Sequence, residues 1–378
     1  GVISTSELYK KTILTDGGCI APDSFQRVRA QKQEANIKFL INQANLRKSE
    51  LKNNSVTEFV KMLKKINDDR EGLNIQNVEV QAYASPEGGV KFNDKLASKR
   101  QDVSEKYVKD QLKKTNVSTG VDAHYTAQDW EGFQELVSKS NIQDKELILR
   151  VLSMYQDPEQ REQEIKNISS VYKTLADEIL PQLRRSRLTL NYEIIGKSDE
   201  EIANLADSDA KQLNIEELLY ATTLTKDAAK QEAIFTKATQ IYPNDFRAYN
   251  NLGKLAYQAG DLDKAESYFK KALSIKDAPE ANMNLGLIAL TKGDRTAAES
   301  YLSKASGSKE LNEALGNLYV AQGQYDKAVS SFGDTKTNSA ALAQILAKDY
   351  NKAKNTLAAI ERPDAYTDYL MAVLGART

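Results

Sequence analysis

Leu252-Gly253 is followed downstream by Leu285-Gly286 and Leu315-Gly316, and each doublet carries a similar train of small and large residues behind it. Behind the first stand Tyr257, Gly260, Ala265, Phe269 and Ala272; behind the second, Gly293, Ala298, Leu302 and Ala305; behind the third, Gly323, Ala328 and Phe332. Leu218, Phe235 and Ala238 lie one unit upstream, and "LAQILAKDYNKAKNTLAAI", with Ala353 and Leu357, is a shortened unit downstream. Nothing else in the sequence constrains the fold so tightly. A unit this short cannot bury its own apolar face, so consecutive units must stack into an array. Each reads as a helix pair. Gly253, Ala265 and Ala272 let the two helices approach closely, and Tyr257 and Phe269 fill the space between them.

The pattern resembles the tetratricopeptide repeat. The resemblance implies an all-α solenoid over 198–378, ended by "AYTDYLMAVLGA" as a capping helix, with a concave groove that takes a protein or peptide partner. Groove positions fall on the first helix of each pair, and the register gives Arg247, Asn250, Lys254, Asn284 and Asn317. The plainer alternative leaves these five as solvated surface side chains. Some members of the family hold C-terminal peptides in a Lys/Asn carboxylate clamp; the order of Asn and Lys here does not follow it.

Composition narrows the chemistry. Lys+Arg number 52 and Asp+Glu 53 in 378 residues, a formal net charge of -1, so no basic excess points to nucleic acid. No apolar run reaches the roughly 18 residues of a membrane span. Cys19 and His124 are the single cysteine and histidine. Zinc sites built on these residues need three or four protein ligands, so neither metal nor cofactor is expected. "TDGGCIAP" hints at a lipid-attachment cysteine, but no apolar run precedes it, and Cys19 reads as a buried or incidental thiol. No nucleophile elbow or GxxxxGK[ST] loop occurs. The best acid–base pair would be Glu87 with His124, which falls on the polar face of its strand. The chain reads as non-catalytic. Its opening Gly1 is read as a mature or trimmed start.

Residues 1–33 are weakly patterned and read as an N-terminal extension or the tail of a missing domain. From 34 the pattern becomes regular. "ANIKFLINQANL" alternates as a strand, with Ile37, Phe39 and Ile41 on one face. A helix follows, opened by a Ser55–Glu58 capping box. "NVEVQAYAS" is a second strand, "SPEGG" a turn, and 93–113 a long helix. "GVDAHYT" is a third strand. Residues 127–180 are helical, Trp130 and Phe133 packing within them, and "RRSRLTLNYEII" is a last strand. The expected fold class is α+β: a two-layer α/β sandwich over 34–197 with a helical insert at about 127–180, then the repeats.

Helix 93–113 raises a question. Leu96, Val103 and Tyr107 mark its apolar stripe, and Arg100 lies beside it. A desolvated, unpaired guanidinium costs roughly several kcal/mol. Arg100 therefore needs an internal acid such as Glu87, a ligand carboxylate gripped bidentately, or a path that keeps its head in water.

The residues around it resemble the OmpA-like peptidoglycan-associated domain. A strand ends on Ala82-Tyr83 and a turn holds Gly88. Asn93, Leu96, Ala97 and Arg100 then fall on the family's N-x-x-L-S-x-x-R pattern. "LRRSRLTL" is similar to the family's N-R-R-V ending, with Arg184, Arg185 or Arg187 in the arginine positions. The likeness covers about 35–196. "YASPEG", the insert and "ILPQLRRSRL" resemble the form found in Bacteroidetes envelopes.

The resemblance implies a peptidoglycan stem peptide as ligand, its diaminopimelate held by the helix arginine and a turn aspartate. Ser85, Glu87, Asn93, Arg100, Arg184 and Arg185 are the candidate site. Ser85 stands where the family has that aspartate, which leaves one arm to Glu87; the long insert is a second departure. Two functions follow. One is a non-catalytic cell-envelope protein, periplasmic and associated with the outer membrane or cell wall, that binds peptidoglycan and docks a protein for outer-membrane assembly or tethering. The other is a pure interaction scaffold that has lost the cell-wall ligand, with Arg100 paired to Glu87 or another acid.

Overall fold

Strand alternation shapes the first half. In the protein's computed structural model, which describes residues 7–308 and 310–378, four strands form one sheet. They are β1 (Val28–Lys38), β2 (Leu73–Tyr83), β3 (Val121–Thr126) and β4 (Arg185–Ile195), in the order β1-β4-β2-β3. β2 and β3 run parallel and the other neighbours antiparallel. A parallel pair needs a crossover, and helix Val90–Lys114 supplies it. Ala35, Ile37, Val78, Val80, Leu188 and Leu190 are all buried. They share one core with Val56, Phe59, Leu63 and Ile66 of helix Asn54–Asp68 and with Val108 and Leu112 of the crossover. Full burial of each large aliphatic or aromatic side chain stabilises by about 1.5–3 kcal/mol.

Two local expectations are corrected. Ile41 is exposed, because β1 ends at Lys38 and the chain turns away through Asn42, whose φ is 57°. The following helix is capped by Asn53, whose Oδ1 accepts from the Val56 N–H at 2.9 Å. Ser55 donates to Asn53 instead of opening a capping box.

Between β3 and β4, helices Trp130–Lys139, Lys145–Met154 and Pro158–Asn167 and the helical stretch 169–183 build a separate core around Phe133, Val137, Ile148 and Leu175. Trp130 meets Phe133 edge-on, ring centres 5.5 Å apart.

The chain divides into two compact units. Gln26–Gly196 is one; Lys197–Thr378, with the segment that ends at Phe25, is the other. In the second, helix pairs follow one another: Phe246–Gln258 with Leu262–Ile275, Pro279–Thr291 with Arg295–Leu302, Leu311–Ala321 with Tyr325–Phe332, and Asn338–Leu346 with Tyr350–Ala358. Helix Ala365–Arg377 ends the chain. The doublet glycines are explained by close approach. A Cβ on Gly253 would stand 2.5 Å from the Phe269 ring, on Gly286 2.8 Å from Leu302, and on Gly316 2.6 Å from Phe332.

The expected extension over 1–33 is divided. Residues 1–6 lie outside the described residues. Helix Tyr9–Asp16 lies within the repeat unit, with Leu8, Tyr9 and Ile13 buried in the same core as Leu285, Leu287 and Ile288. From Val28 the chain is already β1.

Candidate functional site

Arg100 projects from the centre of the buried stripe of helix Val90–Lys114 and is fully buried. Its Nε donates to the Gln43 carbonyl at 2.9 Å, Nη1 to Tyr83 at 2.9 Å and Nη2 to Leu40 at 3.2 Å. Its Cζ lies 5.0 Å from the centre of the Phe39 ring. Among the described residues, neither the acid partner nor the wet head expected from the sequence is found. The loop after β1 turns carbonyls inward where no ladder neighbour meets them, and the guanidinium fork satisfies them. Burial, aided by the nearby Arg184 and opposed by Glu87, pulls Arg100 down to about 10, which leaves it charged at neutral pH.

Glu87 is engaged elsewhere. Its Oε1 accepts from Arg184 Nε at 2.9 Å and Nη2 at 2.7 Å, and its Oε2 is buried without a hydrogen-bond partner among the described residues. Arg185 donates to Asp129 Oδ2 at 2.9 Å and stacks on the Tyr83 ring. Ser85 is buried. Its carbonyl and that of Glu87 accept from Asn93 Nδ2 at 3.3 and 2.9 Å, which closes the turn where Gly88 takes φ +90°. The crevice beside Glu87, among Pro86, Trp130, Phe133 and Leu175, measures about 20 Å³, room for one water. His124 is exposed on β3.

The repeat groove presents a different geometry, because the segment ending at Phe25 lies in it. Asn284 Oδ1 accepts from the Cys19 N–H at 2.7 Å, and its Nδ2 donates to the Cys19 carbonyl at 2.9 Å. Asn251 does the same for Ala21, at 2.8 and 3.0 Å. Asn250 donates to the Cys19 carbonyl at 3.0 Å and accepts from Asn284. Further along, the Tyr257 hydroxyl donates to the Ile13 carbonyl and the Ser339 hydroxyl to Thr12 Oγ1, each at 3.0 Å. Cys19 Sγ donates to Glu310 Oε2 at 3.0 Å; burial and that carboxylate push the thiol up.

The five sequence candidates therefore divide. Asn250 and Asn284 are buried, not solvated, and grip main chain. Arg247 donates to the Pro22 carbonyl at 3.4 Å and makes paired bonds to Glu216. Glu216 in turn accepts from the Ser24 N–H at 2.7 Å, and Arg247 holds its carboxyl below the usual range. Lys254 lies against Gly18, and burial lowers its ammonium. Asn317 stays in its own helix, donating to the Glu313 carbonyl at 3.2 Å. Sequence reasoning missed Asn251, Glu216, Glu310 and Ser339. The one available signal was the Asn250-Asn251 doublet inside a helix, where asparagine is a poor former.

Among the described residues, no group of three or more His, Cys, Asp or Glu is placed to hold a metal, and no helix is long and apolar enough to cross a membrane.

Residues 246–277, 279–310 and 311–337 each match a tetratricopeptide repeat model, so this stretch consists of such repeats. No curated protein gives a significant sequence match. Among solved structures, the chain is similar to the crystal structure of the APC/C hetero-tetramer Cut9-Hcn1, at 13% identity and TM-score 0.39, over 75% of this chain and 52% of that one. It thus spans about half of that relative's length. It is also similar to yeast Tom70, at 11% identity and TM-score 0.31, over 87% and 76% of the two chains.

Proposed function

We propose that this protein is a non-catalytic protein-interaction scaffold of the cell envelope. In this reading its repeats engage extended polypeptide, and its OmpA-like sheet unit no longer takes peptidoglycan. One observation carries it: Asn251 and Asn284 each grip both main-chain groups of one residue in an extended segment. Loss of the cell-wall ligand is supported by Arg100, whose three bonds go to carbonyls, and by Glu87, which pairs with Arg184. The periplasm, against the outer membrane or cell wall, is the location that the sheet unit's sequence resemblance favours.

Calorimetry with a diaminopimelate-containing muropeptide tests the reading. No heat is expected at millimolar ligand, for the wild type or for Arg184→Ala. Saturable heat in the wild type that Arg184→Ala abolishes would return the protein to the peptidoglycan-binding class.

A further inference from the structure

The stretch Gly17–Phe25 is held as a docked peptide is held. Asn284 reads Cys19 and Asn251 reads Ala21, two residues on, each through one N–H and one C=O. A side-chain amide is the donor–acceptor complement of a peptide group, so this contact requires no particular ligand side chain. Alternation along the extended segment decides the rest. Cys19 and Ala21 face inward and are buried, while Ile20 faces out and is 51% exposed. Main-chain bonds supply the hold and pockets at alternate positions supply selectivity, as when a strand is added to a sheet edge.

Selectivity is sharpest just upstream. A Cβ on Gly17 would stand 2.7 Å from the Ile13 carbonyl and 3.1 Å from both Leu287 and Tyr257. Gly18 has φ +104°, in the left-handed region that favours glycine. Before the glycines, helix Tyr9–Asp16 inserts Tyr9 and Ile13. The solenoid's own pairs close without this segment, Gly253 on Phe269, Gly286 on Leu302 and Gly316 on Phe332.

We propose that the repeat groove is a peptide-binding site whose ligand is supplied in cis. The segment Glu7–Phe25 is that ligand, joined to its receptor only by the chain. The ligand class is a short apolar helix ending in Gly-Gly, followed by an extended run with small residues at alternate positions. This rests on reading the groove as a site for extended polypeptide, and it is independent of whether the sheet unit binds cell wall.

The test uses the full chain with a protease site inserted between Phe25 and Gln26. After cleavage, the probe is a fluorescent synthetic peptide of residues 7–25. The cut chain is expected to remain folded and to exchange its own segment for one labelled peptide. Peptides carrying Gly17→Val or Ala21→Trp should bind at least about tenfold more weakly, as should the wild-type peptide to a cut Asn251→Ala receptor. A cut chain that stays folded and never exchanges makes the segment an integral core element and overturns the proposal. So does a folded cut chain that loses the segment and takes up no peptide. If the cut chain unfolds, hydrogen exchange on the intact protein decides. Cys19 and Ala21 amides that exchange well before those of helix Pro279–Thr291 support a separable ligand; exchange only together with that helix overturns it. A muropeptide signal in the earlier calorimetry would leave all of these outcomes unchanged.

Discussion

Arg100 in the sheet unit and Asn284 in the repeat unit are both buried, and both hold main chain. They differ in what they offer. A guanidinium has five donors and no acceptor. Arg100 therefore collects carbonyls from a loop and a strand end, and desolvation makes it costly to leave any part unpaired. It acts as a bolt. The asparagine amide offers one side of each kind and remains neutral, so it matches a passing peptide group at little electrostatic cost. Repeated two residues along, at Asn251, it fits an extended chain. A buried cation among carbonyls thus marks architecture, while buried amides in matching register mark recognition.

Substitutions break that comparison in order of size. Arg100→Met should cost about 3–5 kcal/mol, since three charge-assisted bonds from a fully buried side chain are lost. Trp130 is the only tryptophan and lies in the sheet unit, so urea unfolding followed by its fluorescence should record the loss. An unchanged midpoint would mean that Arg100 is not a bolt. Asn284→Ala should loosen the segment by about 2–3 kcal/mol through lost bonds to Cys19 and Asn250. The readout is faster reaction of Cys19 with a thiol reagent, with the Trp130 transition unmoved. Gly253→Ala forces a methyl group into the Phe269 ring and should cost about 1–3 kcal/mol of repeat stability by circular dichroism.

The smallest effect is acidic. Arg247 holds the Glu216 carboxyl below its ordinary 4.5. The folded group therefore binds its proton later than the unfolded one, and its contribution is present above about pH 4.5 and fades as pH falls through the folded value. Protection of the Ser24 amide, which donates to Glu216, should decline over that window. Glu216→Gln should flatten the decline.

Legibility in the sequence followed the range of each interaction. The repeats showed because Gly253, Gly286 and Gly316 meet large residues within the same helix pair. The strands showed because burial alternates along them. The angular position of Arg100 was readable, but its partners were not, because carbonyls carry no sequence signature, and Glu87 of the preceding turn pairs with Arg184 instead. The groove was half visible: Asn250 and Asn284 followed from the repeat register, whereas their occupant did not. Residues 7–25 have no local partner to impose a period, and Asn284 stands 265 residues away from Cys19.

That separation has a consequence in time. A ribosome delivers Leu8, Tyr9 and Ile13 before the sheet unit, and their pocket, which reaches Ser339, after it. An apolar helix must therefore wait while the sheet unit and the repeats are made, and such exposed intermediates are where aggregation starts. Contacts spanning 327 residues, such as Ser339 to Thr12, close late in folding. A segment made before its receptor is thus late to settle, and during that delay it is what a chaperone would find exposed.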